Sequence, residues 1–197
     1  VRDGHLFMLA DQSLSVFALA DPYDPKRVGH AFFGSGCGLA FRDDLLLVPS
    51  LMRGFWLIDV AHPVSAPSAW EAEFPDFLGY AYDITIAGRH LYAARHAGGV
   101  QVYDIGDSTN VRLVETMSFP GICFETALDG AYAYVAAGGT GLRIYDVSAA
   151  PAAEPVANLD TDGWTYGVFV TPGLAHLADG DGGYQIVDIA DPARPVV

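Results

Sequence analysis

One short phrase recurs along the chain at a nearly constant distance. It reads Phe55-Trp56-Leu57-Ile58-Asp59-Val60, then Val100-Gln101-Val102-Tyr103-Asp104-Ile105, Leu142-Arg143-Ile144-Tyr145-Asp146-Val147 and Tyr184-Gln185-Ile186-Val187-Asp188-Ile189. A degenerate copy, Leu14-Ser15-Val16-Phe17-Ala18-Leu19, has Ala18 in the aspartate position. The aspartates lie 45, 42 and 42 residues apart, and Ala18 stands 41 residues before Asp59. A fixed period of this size means that one supersecondary unit is copied and stacked, because a single copy cannot bury its own apolar face.

Each period divides into four short apolar runs bounded by turn residues, which reads as four strands. The fourth period predicts strand a over 122–128, a tight Asp129-Gly130 turn, strand b over 131–137 and strand c over 141–147. A proline-bearing connection then leads to strand d over 156–160. Asp-Gly and Pro-Gly turns, β-branched and aromatic residues and the absence of a 3.6-residue period exclude a helical solenoid. Four strands in about 40–45 residues is the period of a propeller blade.

The Asp-terminated phrase is followed by a proline-spaced connection, Asp21-Pro22 to Pro25, His62-Pro63 to Pro67 and Asp191-Pro192 to Pro195. Together with the preceding Tyr132-Ala133-Tyr134-Val135-Ala136 strand, this resembles the LVIVD repeat, over essentially the whole chain. The resemblance implies an all-β fold, a β-propeller of four-stranded antiparallel blades, often found in bacterial and archaeal cell-surface proteins. It carries no common catalytic motif and so transfers no site residues. The third period departs from the pattern, with Asp107-Ser108-Thr109-Asn110 in place of the prolines.

By analogy with other blades, strand a is innermost and strand d outermost. The repeats then run over about 1–34, 35–78, 79–120, 121–162 and 163–197, forming a single propeller domain or a fragment of one. Val1-Arg2 reads as the tail of an a strand and Arg194 to Val197 as the start of a d strand, so five b and five c strands accompany four complete a strands. That phase predicts part of a larger ring, or completion by self-association or an additional chain. The chain has no signal-peptide pattern and no initiator methionine, so Val1 reads as a processed end or the start of a fragment.

Charge narrows the partners. Of 197 residues, 24 are acidic and 10 basic, a net −14, and Lys26 is the only lysine. This excludes the clustered basic face that nucleic acids require and disfavours anionic membrane surfaces. No apolar run reaches the roughly 18 residues of a membrane helix. Two cysteines, Cys37 and Cys123, make no disulfide framework, and neither Asn110 nor Asn158 lies in a glycosylation sequon. The composition fits an extracellular, periplasmic or cell-surface protein, and a cytoplasmic one almost as well.

Aligning the a strands gives a column of Asp83, Glu125, Gly167 and Gly38 beside a bulky column of Tyr82, Phe124, Tyr166 and Cys37. Neighbouring blades thus place carboxylates at equivalent inner positions. Such a pair could hold a cation or split its pKa values for acid–base work. Equally, each carboxylate could cap inner-strand amides or meet a donor of the next blade. The a–b hairpin also brings the d–a and b–c loops to one face. There it collects Arg53, Tyr80, Arg95, His96 and Trp164, a set suited to a small anionic or sugar-like ligand. The loops Asp160-Thr161-Asp162-Gly163 and Asp179-Gly180-Asp181-Gly182 space oxygens as calcium loops do. A Ca2+ site of Asp160, Asp162, Asp179 and Asp181 would lack the bidentate glutamate of such loops, and Asp-Gly is common turn chemistry.

The other polar residues read as structural. His5 and His90 fall in the strand-b column of Tyr132, and His176 one place further on. No zinc spacing, nucleophile elbow or phosphate loop occurs. The recurring Asp59, Asp104, Asp146 and Asp188 shape the turn after strand c, and repetition in every blade argues for structure. Buried, inert thiols are expected for Cys37 and Cys123. The leading reading is a non-enzymatic binding or scaffold module of a secreted or cell-surface protein, with a protein or small polar ligand as partner. The alternative is an enzyme (lyase, isomerase or hydrolase) using Asp83 and Glu125 with His96 and with Arg95 or Arg53 at the channel mouth.

Overall fold

The structure, a computed structural model, describes residues 3–10, 13–32, 38–50, 54–60, 69–73, 81–96, 99–107, 110–148 and 154–197. Every regular element among them is a β-strand except one 3-10 turn at Gly180–Gly182. Two compact units divide the chain, Val1–Tyr80 and Ala81–Val197.

In the first unit, β1 (His5–Ala10), β2 (Ser13–Ala18) and β3 (Lys26–Phe32) form one antiparallel sheet. A second contains β4 (Ala40–Arg42), β5 (Leu45–Ser50), β6 (Gly54–Asp59) and β7 (Ala69–Glu73). Phe7, Leu14 and Val16 of the first sheet pack against Leu46, Val48 and Ile58 of the second.

The second unit has three sheets. They are β8 (Ala81–Ala87), β9 (His90–Arg95), β10 (Gly99–Asp104), β11 (Arg112–Met117); β12 (Glu125–Asp129), β13 (Tyr132–Ala136), β14 (Leu142–Asp146), β15 (Ala157–Leu159); and β16 (Gly167–Thr171), β17 (Leu174–Ala178), β18 (Tyr184–Asp188). Among the described residues the strands pair antiparallel with their sequence neighbours, the a-b-c-d order expected from the repeat, and an isolated bridge joins Gly138 to Thr165. The predicted d strand after β18 is represented by one bridge, Asp188 to Val196. Tyr92, Val100 and Val102 bury themselves against Cys123, which precedes the next sheet, and against Ala133, Val135 and Tyr145 within it. One period later Tyr134, Leu142 and Ile144 do the same against Val168, Ala175, Leu177 and Val187. Their counterparts on the last sheet include Tyr184 and Ile186, 67% and 47% exposed.

The recurring aspartates end strand c where expected: β6, β10, β14 and β18 stop at Asp59, Asp104, Asp146 and Asp188. Asp104, Asp146 and Asp188 each accept the N–H two residues on, from Gly106, Ser148 and Ala190, at 2.9 Å. This local turn bond is what a short carboxylate can reach. Asp104 also takes a two-pronged bond from Arg89 and a third contact from Arg112. The Arg89 guanidinium holds its carboxyl well below the usual range.

Gly99, Gly141 and Gly183 occupy one repeat position at the entrance to strand c, with φ of +89°, +72° and +76°. A Cβ on Gly141 would lie 2.1 Å from the Leu159 carbonyl oxygen, whereas one on Gly183 would meet nothing within 4 Å. Backbone strain is common to both, and the clash is present at Gly141, as it is at Gly99 against the Met117 carbonyl oxygen at 1.8 Å, but absent at Gly183. Gly183→Ala is therefore expected to cost about 1–2 kcal/mol. Gly141→Ala should cost at least about 3 kcal/mol, because overpacking is added. Urea unfolding followed by circular dichroism measures both, and equal losses would refute the role assigned to the strand-d carbonyl.

Candidate functional site

Three inner strands share one irregularity. In β8 the register passes from Ala81 opposite Arg95 to Asp83 opposite Ala94, leaving Tyr82 as an extra residue. In β12, Glu125 pairs with Ala136 and the Phe124 N–H also donates to the Ala136 oxygen at 3.0 Å. In β16, Gly167 pairs with Ala178 and the Tyr166 N–H donates to the Ala178 oxygen at 2.8 Å. A bulge interrupts strict alternation and re-aims the inserted side chain. Here the inserted residue is aromatic each time, so the bulky column becomes a row of rings. Tyr82 and Phe124 stack with centroids 5.2 Å apart, and Phe124 meets Tyr166 edge-on at 4.9 Å. His96 continues the row 5.4 Å from Tyr82, and Trp164 lies 6.3 Å from Tyr166. These are the separations at which aromatic quadrupoles attract.

The residue after each bulge is the carboxylate column. Glu125 Oε2 accepts the Val168 N–H of the next sheet at 3.0 Å. A Cβ at Gly167 would come 3.0 Å from that same oxygen, so a side chain there would require the Glu125 carboxylate to shift. Asp83 faces the amides of Ile84 and of Thr126 in its own next sheet, and Thr85 ties the same two sheets by donating to the Thr126 oxygen at 2.6 Å. Burial, and then the neighbouring charge of Glu125, push the Asp83 carboxyl up to about 6. The facing amides and the Thr85 hydroxyl pull the other way without prevailing. Arg95 ends β9 and pairs with Ala81, two residues before Asp83.

A second arrangement lies at the loop end of the last sheet. Asp179 is fully buried, and its Oδ1 accepts the hydroxyls of Thr161 and Thr165, both at 2.7 Å. Its Oδ2 accepts the Gly163 N–H at 2.9 Å. One carboxylate thus fastens the loop entering β16 to the loop leaving β17. A Cβ at Gly163 would lie 1.8 Å from the Asp179 carbonyl oxygen, so only glycine permits this approach. The fastened loops wall an open cleft of about 470 Å³, lined by Thr161, Asp162, Trp164, Tyr166 and Asp181.

The structure therefore joins Asp83 to Glu125, His96 to Tyr82, and Trp164 to Asp162 and Asp181. Arg53, Tyr80 and Cys37 lie outside the described residues. Of the proposed calcium ligands, Asp179 directs both oxygens to loop donors, Asp162 and Asp181 line the cleft, and Asp160 is exposed. Among the described residues no three acidic, His or Cys side chains gather at one metal-sized point. The placement of His176 needs correcting. Leu174 pairs with Asp188 as Tyr132 pairs with Asp146, so His176 is the counterpart of Tyr134, two places beyond the Tyr132 column. It bonds Thr171 and Tyr184 on the open face of the last sheet. Cys123 is buried and its thiol is pushed up by burial, as an inert core thiol should be. The structural work of Asp179 was missed in the sequence. Its only local signal is the Thr161…Thr165 spacing, which means nothing until the other loop is beside it.

The sequence model of the LVIVD repeat matches residues 78–118, 120–156 and 162–197, more than half of the chain. The chain belongs to the LVIVD-repeat family. No match is found among curated proteins. Solved structures similar to this LVIVD-repeat chain include a β-propeller. The chain aligns with the WD40 β-propeller domain of Doa1 at TM-score 0.71 and 10% identity, over 99% of this chain and 64% of that one. A functionally unknown protein from Desulfotomaculum acetoxidans DSM 771 aligns at 0.72 and 13%, over 98% and 64%. The computationally designed Ika8 protein aligns at 0.71 and 10%, over 94% and 56%. The LVIVD-repeat chain thus spans between about half and two thirds of the length of these three. At such identities the likeness shows the fold alone: all-β, built from propeller-type antiparallel sheets. Among the described residues no helix is long and apolar enough to cross a membrane.

Proposed function

We propose that this LVIVD-repeat chain is a non-enzymatic binding module of a secreted or cell-surface protein. It recognises a small polar ligand, or a polar side chain of a protein, at the loop end of its inner strands. The observation that supports this is the row of rings. Bulges at one repeat position aim Tyr82, Phe124 and Tyr166 alike, and Trp164 and Tyr166 remain 47% and 49% exposed beside an open cleft. Aromatic faces with a few polar groups are the usual lining of a ligand site. Nucleophile and metal-hydrolase motifs are absent from the sequence. The acidic, lysine-poor composition is in keeping with an extracellular or periplasmic setting.

A second reading, an enzyme, has one observation in its favour: Asp83, raised to about 6 beside Glu125, is poised for proton transfer near neutral pH. The carboxylates' contacts with sheet amides favour the structural role over it. A panel of sugars, amines and organic acids, read by calorimetry and by product formation, separates the two readings. The binding module predicts saturable binding without turnover, abolished by substitutions in the ring row. Turnover lost in Asp83→Asn or Glu125→Gln, with ligand affinity kept, would establish the enzyme.

A further inference from the structure

The cleft at the loop end of the last sheet departs from the repeat. Trp164, Asp162, Asp179 and Asp181 correspond, one period earlier, to Ile122, Pro120, Ala137 and Gly139. The blade can therefore be built without any of the three acids or the indole. Asp179 is accounted for by the loop bonds it makes. Trp164, Asp162 and Asp181 are not. Both aspartates are exposed, and among the described residues neither has a hydrogen-bond or ion-pair partner.

Two glycines hold the rings in place. A Cβ on Gly139 would lie 3.2 Å from Trp164 Nε1 and 3.3 Å from Cε2, so the indole rests against bare backbone. A Cβ on Gly180 would lie 3.1 Å from Tyr166 Cε2. The opposite surfaces of these rings are open, because both side chains are about half exposed. The walls are held together by Asp179, so a ligand would meet a preformed site and spend little affinity on ordering it.

From this lining we infer that the cleft binds an organic cation, a guanidinium or alkylammonium group. The inference rests on the reading of this end as a recognition face. An aromatic face attracts a cation through its quadrupole, most strongly in tryptophan, and the two carboxylates add charge-assisted acceptors. Among the described residues no basic side chain lines the cleft. The chain's net −14 adds a long-range field that concentrates cations and repels anions. A neutral sugar could stack on Trp164 but would gain nothing from that field. A bare Ca2+ ion would need more oxygen ligands than Asp162 and Asp181 supply. The geometry thus favours a cation with an apolar or planar surface over a sugar or a metal ion.

The test is calorimetric titration of the whole chain with L-argininamide and tetramethylammonium, with glucose and CaCl2 as contrasting probes, at fixed ionic strength. Saturable binding of the organic cations is expected, weakened at least tenfold in Trp164→Ala and at least fivefold in Asp162→Asn with Asp181→Asn. Trp164→Phe should retain part of the affinity. Circular dichroism confirms that each variant is folded, and Gly139→Ala, which displaces the indole without altering charge, serves as a second disruption. Glucose binding that depends on Trp164, with no response to the cations, would overturn the ligand class while leaving the recognition face standing. Calcium binding that survives Trp164→Ala would overturn it in favour of a metal site. Silence from all four probes would overturn both.

Discussion

Asp179→Ala should lose about 3–4 kcal/mol of unfolding free energy. The carboxylate has no exposed surface and takes three bonds, from two threonine hydroxyls and one backbone N–H. Hydrogen bonds to a charged group are worth about 1.5–3 kcal/mol each, and truncation also strands the buried donors without replacement. The Thr165 hydroxyl is the worst placed of them, since Thr165 is itself fully buried. Asp179→Asn should cost less, because its side-chain oxygen can still accept from both threonines while its NH2 opposes the Gly163 N–H. Urea denaturation gives the free energies. Trp164 fluorescence should shift to the red in Asp179→Ala as the loops part. A loss within about 0.5 kcal/mol, as at an ordinary surface position, would show that the loops hold without this carboxylate.

The second large effect is a pH dependence of unusual sign for a carboxylate. Asp83 titrates at about 6 in the folded chain, against about 3.9 in an unfolded one. Between those values the folded state binds a proton that the unfolded state does not. Stability therefore rises as pH falls through 6, opposite to the acid lability of an ion-paired aspartate. From pH 7 to pH 5 this group alone should add about 1 kcal/mol, and the charged form costs the fold up to about 3 kcal/mol above pH 7. Asp104 and Asp146, held low by Arg89 and by Ser148, act the other way and only at lower pH, where they become protonated. Within the window from pH 7 to 5, the share of the slope that Asp83 carries is the share that Asp83→Asn removes. Asp83→Asn should flatten the slope there, and Glu125→Gln should move it to lower pH by removing the neighbouring charge. An unchanged slope in Asp83→Asn would show that another group carries the proton.

The repeat, the strand order and the end of strand c were legible in the sequence because the interactions behind them are short. Asp104, Asp146 and Asp188 bond amides two residues away, the Asp129-Gly130 turn closes a hairpin between adjacent strands, and pairings run between sequence neighbours. A period of about 42 residues also suffices to align columns, so Asp83, Glu125 and Gly167 fell together correctly. Alignment failed by one place at His176, where no turn residue anchored the count within strand b.

What lies between sheets had to wait for the tertiary structure. Residue columns say that Asp83 and Glu125 are equivalent, but not that Glu125 reaches the Val168 N–H, 43 residues on, or that a side chain at Gly167 would press on this same oxygen. The bulges that turn Tyr82, Phe124 and Tyr166 into one row add a residue without any turn signal to mark it. Asp179 and Gly163 are 16 residues apart and belong to different loops, so their bond, and the cleft it holds around Trp164, depends on two backbones approaching within the span of a missing Cβ. A chain's own pattern determines how each segment pairs with the next, because hydrogen-bond ladders and turns are local. Which side chains meet across sheets is decided by close packing, where shifts of a few tenths of an ångström separate contact from clash.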